Sequence, residues 1–214
     1  MSHEVCPWWL GYLLASPLRR LAHDPAAILR PFVTEGMTVF EAGPGMGFFT
    51  LELARLVGAR GRVVAVDVQP RMLAELRRRA GKAGLLDRID ARQGSGEHMG
   101  IADLEGRVDF VLAFAVVHEI PDAARFFGEA SAALKPGRRL LLAEPPFQVP
   151  DSGFEATLRA AARNGLFVES RPAIRWARSA VLAKVRAGGR AREAGDRAIA
   201  PNGVRGNREE DQGK

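Results

Sequence analysis

The sequence predicts an α/β fold: a doubly wound, seven-stranded sheet, mostly parallel, with an antiparallel C-terminal strand pair. Three observations carry this. Apolar runs of strand length alternate at least five times with stretches of helical periodicity, the pattern of a parallel sheet wrapped by helices on both faces. The first such run ends in a glycine cluster that opens a helix. The last two runs are joined only by Arg171, Pro172 and Ala173, a link too short for a crossover helix, so they should pair antiparallel.

Taken in order, Asp24 followed by Pro25 makes an N-cap and first-turn pair for a helix through Arg30, because proline there gives up only an amide with no partner. MTVFEA (37–42) is a first strand, and Phe49, Leu53, Leu56 and Val57 then recur at helical spacing up to Gly58. RVVAVDV (62–68) reads as a strand buried on both faces. In the helix over 70–83, Met72, Leu73, Leu76 and Ala80 share one face, while Arg77, Arg78 and Arg79 point mostly to water. RIDARQ (88–93), VDFVLAFA (108–115) and RRLLLAEP (138–145) are three further strands. Between the last two, Pro121 and Asp122 open a helix with Phe126, Phe127, Ala130 and Leu134 inward, ended by Lys135, Pro136 and Gly137. Ser152 and Glu155 have capping-box spacing for a helix through Arg163, closed by Asn164 and Gly165. LFVES (166–170) and a run over 174–185 complete the sheet. The expected organisation is a helical N-terminal cap over 1–33, a core domain over 34–185 and a disordered, glycine-rich tail over 186–214.

Composition narrows the function classes. Of the 214 residues, 47% are hydrophobic and 26% charged, which is globular, and the single cysteine, Cys6, permits neither an intramolecular disulfide nor a cysteine-based zinc cluster. No stretch reaches the ~18 apolar residues of a membrane helix. PWWLGYLLA (7–15) follows Glu4 and precedes Arg19 and Arg20, the wrong polarity for a signal peptide, so a soluble cytoplasmic protein is expected. The net charge of +6 includes a tail with seven basic residues against five acids, and no clustered basic face points to nucleic acid.

The informative stretch is Glu41-Ala42-Gly43-Pro44-Gly45-Met46-Gly47. Glycines permit positive φ and let a ligand approach the backbone, while the following helix offers unpaired amides. Asp67 ends the second strand twenty residues beyond Gly47, where a carboxylate can accept two hydrogen bonds from ribose hydroxyls, so an adenosine-containing ligand is implied. A nicotinamide dehydrogenase wants G-x-G-x-x-G, but the run is G-x-G-x-G, with Phe48 where that pattern wants glycine. A Glu41 carboxylate beside a pyrophosphate would repel it, whereas a cationic ligand reverses that sign.

These residues resemble the class I S-adenosylmethionine-dependent methyltransferases. VFEAGPGMGFFT resembles their first motif, VVAVDVQPRML their second, DARQGSGEHMG the adenine-side segment, VDFVLAFAVVHEIPD the fourth-strand motif and ALKPGRRLLLAEP the stretch into strand five, over about residues 30–185. The resemblance implies a Rossmann-like sheet with a seventh strand inserted beside the sixth, and S-adenosylmethionine as cofactor. It implies that Gly43, Gly45 and Gly47 shape the loop against the methionine moiety, with Glu41 near its amino group. Asp67 would hold the ribose and Val68 would pack on adenine. Ser95 stands where relatives often have an aspartate for the adenine amino group, with Glu97 as substitute, and Phe114 would serve through its carbonyl.

Methyl transfer from a sulfonium is an in-line displacement, so a general base matters only if the acceptor must lose a proton. His118 and Glu119, after strand four, are the candidates, because ligands of open α/β sheets sit at the carboxyl edge of the strands. Glu144, ending strand five, faces the same rim as a candidate ligand for a cationic or hydroxylated acceptor, and Trp8, Trp9 and Tyr12 are candidate lid or pocket residues. No metal site is expected, on the ground that adjacent residues on one strand point to opposite faces. The expected partner is a small-molecule acceptor. The alternatives are an NAD(P)-dependent oxidoreductase and a non-catalytic partner subunit that retains the fold.

Overall fold

The computed structural model of the chain describes residues 23–185. Trp8, Trp9, Tyr12 and the tail over 186–214 therefore lie outside the described residues, as does most of the expected N-terminal cap.

The elements follow the expected alternation: α1 (Pro25–Leu29), β1 (Thr38–Ala42), α2 (Thr50–Leu56), β2 (Arg62–Asp67), α3 (Pro70–Lys82), β3 (Ile89–Gln93), β4 (Val108–Phe114), α4 (Ala123–Ala133), β5 (Leu134–Glu144), α5 (Asp151–Arg163), β6 (Leu166–Ser170) and β7 (Arg178–Lys184). They form one sheet in the order β3-β2-β1-β4-β5-β7-β6. Strands β1 to β5 are parallel, and β7 runs antiparallel between β5 and β6. The chain leaves β1 towards β2 on one side and returns to β4 on the other, with Ala42 paired to both Val66 and Ala113. That reversal opens a crevice at the carboxyl ends of β1 and β4, the place where such sheets take their ligands.

Period-two alternation sends successive residues to two cores, which is why the strands read as continuous apolar runs. Val39, Val63, Ala65, Leu112 and Leu141 pack beneath α1, α2 and α3, against Leu29, Leu53, Leu73 and Leu76. Phe40, Val64, Val111, Ala113 and Leu142 pack beneath α4 and α5, against Phe126, Phe127, Phe154 and Leu158. Each fully buried side chain of this size contributes roughly 1.5–3 kcal/mol relative to exposure, so the two cores fix the rim on which the site stands.

Four local expectations need correction. The capping box on α5 does not form: Pro150 is the N-cap, and the helix already starts at Asp151. Glu155 instead pairs with Arg171 at 2.7 Å, and Asp151, favourably placed in the first turn, pairs with Arg178 at 2.5 Å. Lys135, Pro136 and Gly137 do not separate α4 from β5 but belong to an extended β5. Its register jumps from Val108↔Leu134 to Phe110↔Arg139, and in the bulge Lys135 and Arg138 reach the buried Asp109 carboxylate at 2.8 and 3.2 Å. Buried charge demands such partners. The start of the last strand lies at Arg178, because 174–177 form a turn closed by the Ile174↔Ala177 bridge, with Trp176 at φ 53°. Finally, Arg79 does not point to water: its guanidinium donates to the Met46 carbonyl at 2.7 Å, so α3 braces the glycine loop.

Candidate active site

The site is built on two neighbouring pieces of the carboxyl rim. Over β1 and β2, the turn after Ala42 carries Gly43, Gly45 and Gly47 at φ 64°, 54° and 87°, conformations that side chains rarely adopt. The three glycines have different reasons. A Cβ on Gly43 would meet Val116 Cγ2 at 2.5 Å, and one on Gly47 would meet Leu76 Cδ1 at 2.5 Å, so both are required by close packing of the loop on the protein itself. A Cβ on Gly45 would meet nothing within 4 Å. Gly45 alone presents open space above the backbone, which narrows the expectation that all three glycines admit a ligand.

Asp67 ties this loop to β2. Its Oδ2 accepts from the Gly45 amide at 3.1 Å and its Oδ1 from the Gln69 amide at 2.9 Å. An ionised carboxylate offers about four lone-pair sites, so these two bonds leave roughly two for a ligand. Burial is the largest influence on the Asp67 carboxyl and pushes it up, and the amides of Gln69, Gly45 and Val68 pull it back without cancelling the rise. Beside it Val68 is 38% exposed, an apolar side chain left in the open at the end of a strand. Glu41 is buried in β1, two residues before Gly43.

On the adenine-side segment, Ser95 is committed to its own turn. Its Oγ accepts from the amides of His98 at 2.9 Å and Glu97 at 3.3 Å and lies 3.3 Å from the His98 carbonyl, which takes its proton. A hydroxyl has one donor and two acceptor sites, and the turn uses all three. Glu97 is exposed, and its carbonyl accepts from Arg125 at 3.3 Å. Phe114 is buried at the end of β4 against Phe49 and His23, with ring centroids 4.5 and 5.1 Å away.

Over β4 and β5 the chain makes a sharper device. Ala115 takes φ 55° while its amide donates to the Ala143 carbonyl at 2.7 Å, and the chain then enters a single 3-10 turn over Val117–Glu119. A left-handed alanine costs roughly 1–2 kcal/mol and persists only where surroundings impose it. Here the anchor is Glu144: its Oε1 accepts from the Val117 amide at 2.8 Å, and its Oε2 lies 2.5 Å from His118 Nδ1. Glu144 is 1% exposed. At that burial, with one oxygen on the Val117 amide and the other on the imidazole, it orients His118 and presents almost no surface to an acceptor. Because His118 and Glu119 sit on a turn, the strand-based expectation that they diverge is wrong: Glu119 Oε1 lies 3.9 Å from His118 Nε2. Among the described residues, no three His, Cys, Asp or Glu side chains are grouped to hold a metal. Burial, the largest influence on the His118 imidazole, would push it down. The hydrogen bond and charge of Glu144, together with the Glu119 charge and the Gln148 amide, outweigh burial and hold it above its ordinary value.

A cavity of about 490 Å³ lies elsewhere, lined by His98, Ile101, Glu105, Glu129 and Ala133 against α4, without any residue of the glycine loop or of β5. Sequence reasoning missed three parts of the site: Arg79, Ala115 and the Glu144–His118 contact. The last had a faint signal, since Phe114 and Ala143 are register partners and the polar residues just beyond them must meet.

Comparison with known proteins agrees with this geometry. Residues 40–142 match the family model described as a methyltransferase domain. The ubiquinone biosynthesis O-methyltransferase of Azorhizobium caulinodans is 34% identical over 134 residues, covering 63% of this chain and 49% of that protein. The arsenite methyltransferase of Halobacterium salinarum is 31% identical over 109 residues, 51% of this chain and 27% of that one. The chain thus spans half or less of the length of these two curated relatives. The crystal structure of a SAM-dependent methyltransferase from Aquifex aeolicus superposes with a TM-score of 0.76 at 24% identity, over 85% of this chain and all of that one, which is a likeness of fold. Residues 40–142 thus match a methyltransferase domain, and the strand order, the glycine loop and the acid ending β2 are similar to those of the class I S-adenosylmethionine-dependent methyltransferases.

Proposed function

We propose that this protein moves a methyl group from S-adenosylmethionine to a small-molecule acceptor. The observation that carries the reading is the Asp67 carboxylate, held by the Gly45 and Gln69 amides with lone pairs to spare for a pair of ribose hydroxyls. The other residues fit the same group. The open face of Gly45 leaves room over the loop, exposed Val68 offers an apolar surface to a nucleobase, and the buried Glu41 carboxylate favours a cationic ligand over a pyrophosphate. When bound, the sulfonium supplies an electrophilic methyl group, and the chain supplies alignment and exclusion of water. With the Ser95 hydroxyl spent on its turn, the adenine amino group falls to backbone of that segment.

A small acceptor is favoured over nucleic acid by how the basic residues are used. Arg78, Arg92, Arg139, Arg171 and Arg178 are each paired with a carboxylate, so the described surface spends much of its positive charge internally. The relatives' names disagree on the acceptor, and an arsenite bound through thiolates would need more than Cys6. No helix among the described residues is long and apolar enough to cross a membrane, and we place the protein in the cytoplasm.

Calorimetry of the full chain with S-adenosylhomocysteine and with NAD tests the cofactor. Binding of the first and none of the second is expected, and tight NAD binding without a homocysteine response overturns the reading in favour of the oxidoreductase. Turnover of labelled S-adenosylmethionine on a panel of acceptors separates an enzyme from a non-catalytic subunit.

A further inference from the structure

We propose that His118, oriented by Glu144, is the general base of the transfer, and that the acceptor is a neutral hydroxyl compound that must lose its proton as it is methylated. This rests on the methyltransferase reading above. The geometry is that of an imidazole with an assigned tautomer. Glu144 Oε2 lies 2.5 Å from Nδ1 and, being a carboxylate oxygen, accepts a hydrogen bond from an Nδ1 that keeps its proton, which leaves the lone pair on Nε2. Nε2 is buried with Gln148 and Glu119 beside it, the latter at 3.9 Å, yet neither reaches it with hydrogen-bond geometry. A buried polar atom of this kind calls for a partner, and a hydroxyl proton fits a lone pair.

Glu144 is a positioning residue and not a ligand. Its second oxygen is held by the Val117 amide, the same amide that fixes the turn carrying His118. The charged groups facing His118 among the described residues are Glu144 and Glu119, and both favour the imidazolium that forms as the proton arrives. The imidazole is held above its ordinary value, which makes it a stronger base than an exposed histidine.

The step selects the acceptor class. The hydroxyl oxygen forms a bond to the methyl carbon, the carbon–sulfur bond breaks with its electron pair going to sulfur, and the hydroxyl proton passes to Nε2 and later to water. Without a base a neutral hydroxyl would become a trivalent oxonium. An amine becomes a stable ammonium, and a thiol with a pKa of about 8.5 is already partly ionised at neutral pH, so neither needs this device. Two large side chains are exposed on the segments that follow Glu144 and precede its register partner. Phe147 follows Glu144 by three residues, and Trp176 precedes by two the Arg178 that is the register partner of Glu144. They suit a hydroxyl carried on an apolar body such as a phenol.

Nitrogen-15 NMR of the full-length protein, without cofactor or acceptor, reads the tautomer directly. In neutral His118 the proton should reside on Nδ1, and the imidazole should titrate above an exposed histidine; in Glu144→Gln its titration should move down, since the Glu144 charge no longer opposes burial. A proton on Nε2, or a titration unmoved by Glu144→Gln, overturns the proposal. In the second arm, a panel of phenols, amines and thiols is offered with labelled S-adenosylmethionine. Transfer to phenols is expected, with His118→Gln lowering kcat by about 10²–10⁴-fold for phenols un-ionised at the assay pH. The loss should shrink to less than about tenfold for 4-nitrophenol, which is largely ionised and needs little base. Transfer confined to amines or thiols, no transfer to any phenol, or an equal loss for ionised and un-ionised phenols overturns it. Calorimetry with S-adenosylhomocysteine keeps the two readings apart, because its failure refutes the cofactor assignment while leaving the NMR result to stand or fall alone.

Discussion

The rim over β1 and β2 is made of backbone, and the rim over β4 and β5 is made of side chains. In the first, three left-handed glycines and the Gly45 and Gln69 amides shape a loop that one carboxylate closes. In the second, a buried glutamate holds an amide and an imidazole, and a strained alanine turns the chain to reach them. The two meet where Val116 packs against the Cα of Gly43. A backbone cradle suits a ligand that the whole family shares, because it depends on few side-chain identities. A side-chain pair suits chemistry that differs between acceptors.

The largest effect should come from the side-chain half. Replacing Glu144 by alanine leaves the Val117 amide and the His118 imidazole without their acceptor inside the protein, and should destabilise the fold by about 3 kcal/mol in chemical denaturation. A loss below about 0.5 kcal/mol would show that this half is not held together by the pair, since that is the range of ordinary surface substitutions.

Next in size, the glycines should divide by mechanism. Gly43→Ala adds a left-handed Cβ that strikes Val116 and should cost about 2–3 kcal/mol of stability. Gly45→Ala meets no protein atom and should cost about 1 kcal/mol, yet weaken S-adenosylhomocysteine more than Gly43→Ala does when both are compared at equal folded fraction. Equal affinities in the two variants would mean that the open face of Gly45 is not where the ligand lies.

How far the site could be read from sequence follows the same division. Gly43, Gly45, Gly47, Asp67 and Val68 lie in two short segments whose meaning is local, since a glycine cluster after a strand and an acid ending the next one each declare their geometry. Asp67 could be placed before any tertiary contact was known. Glu144 could be placed on the rim but not joined to His118, because that partner stands 26 residues earlier in the chain and meets it only through the β4–β5 register. The expected Ser152–Glu155 box failed for the same reason, as Glu155 is drawn to Arg171 by the packing of α5 against β6. Strand order, two-sided burial and the antiparallel end were legible because periodicity and link length are properties of the chain itself. The bulge in β5 was not, since it answers to the buried charge of Asp109 on another strand.

The smallest effect is one of pH. Burial holds the Asp67 carboxyl above its ordinary value, so on acidification it takes up a proton earlier than an exposed aspartate. A protonated carboxyl has fewer acceptor sites, so affinity for S-adenosylhomocysteine should be full above this raised value and decline as pH falls through it. An affinity that stays level until the range of ordinary aspartates would show that hydroxyl binding does not use Asp67.

The division of labour between the two halves is tested most directly by titrating S-adenosylhomocysteine into Asp67→Ala and His118→Gln side by side. The first should lose about 1–3 kcal/mol of binding free energy, the cost of a lost charged hydrogen bond, and the second should bind within about threefold of the unaltered protein. An unchanged Asp67→Ala, or a loss confined to His118→Gln, would contradict the assignment of the β1–β2 rim to the cofactor and the β4–β5 rim to the base.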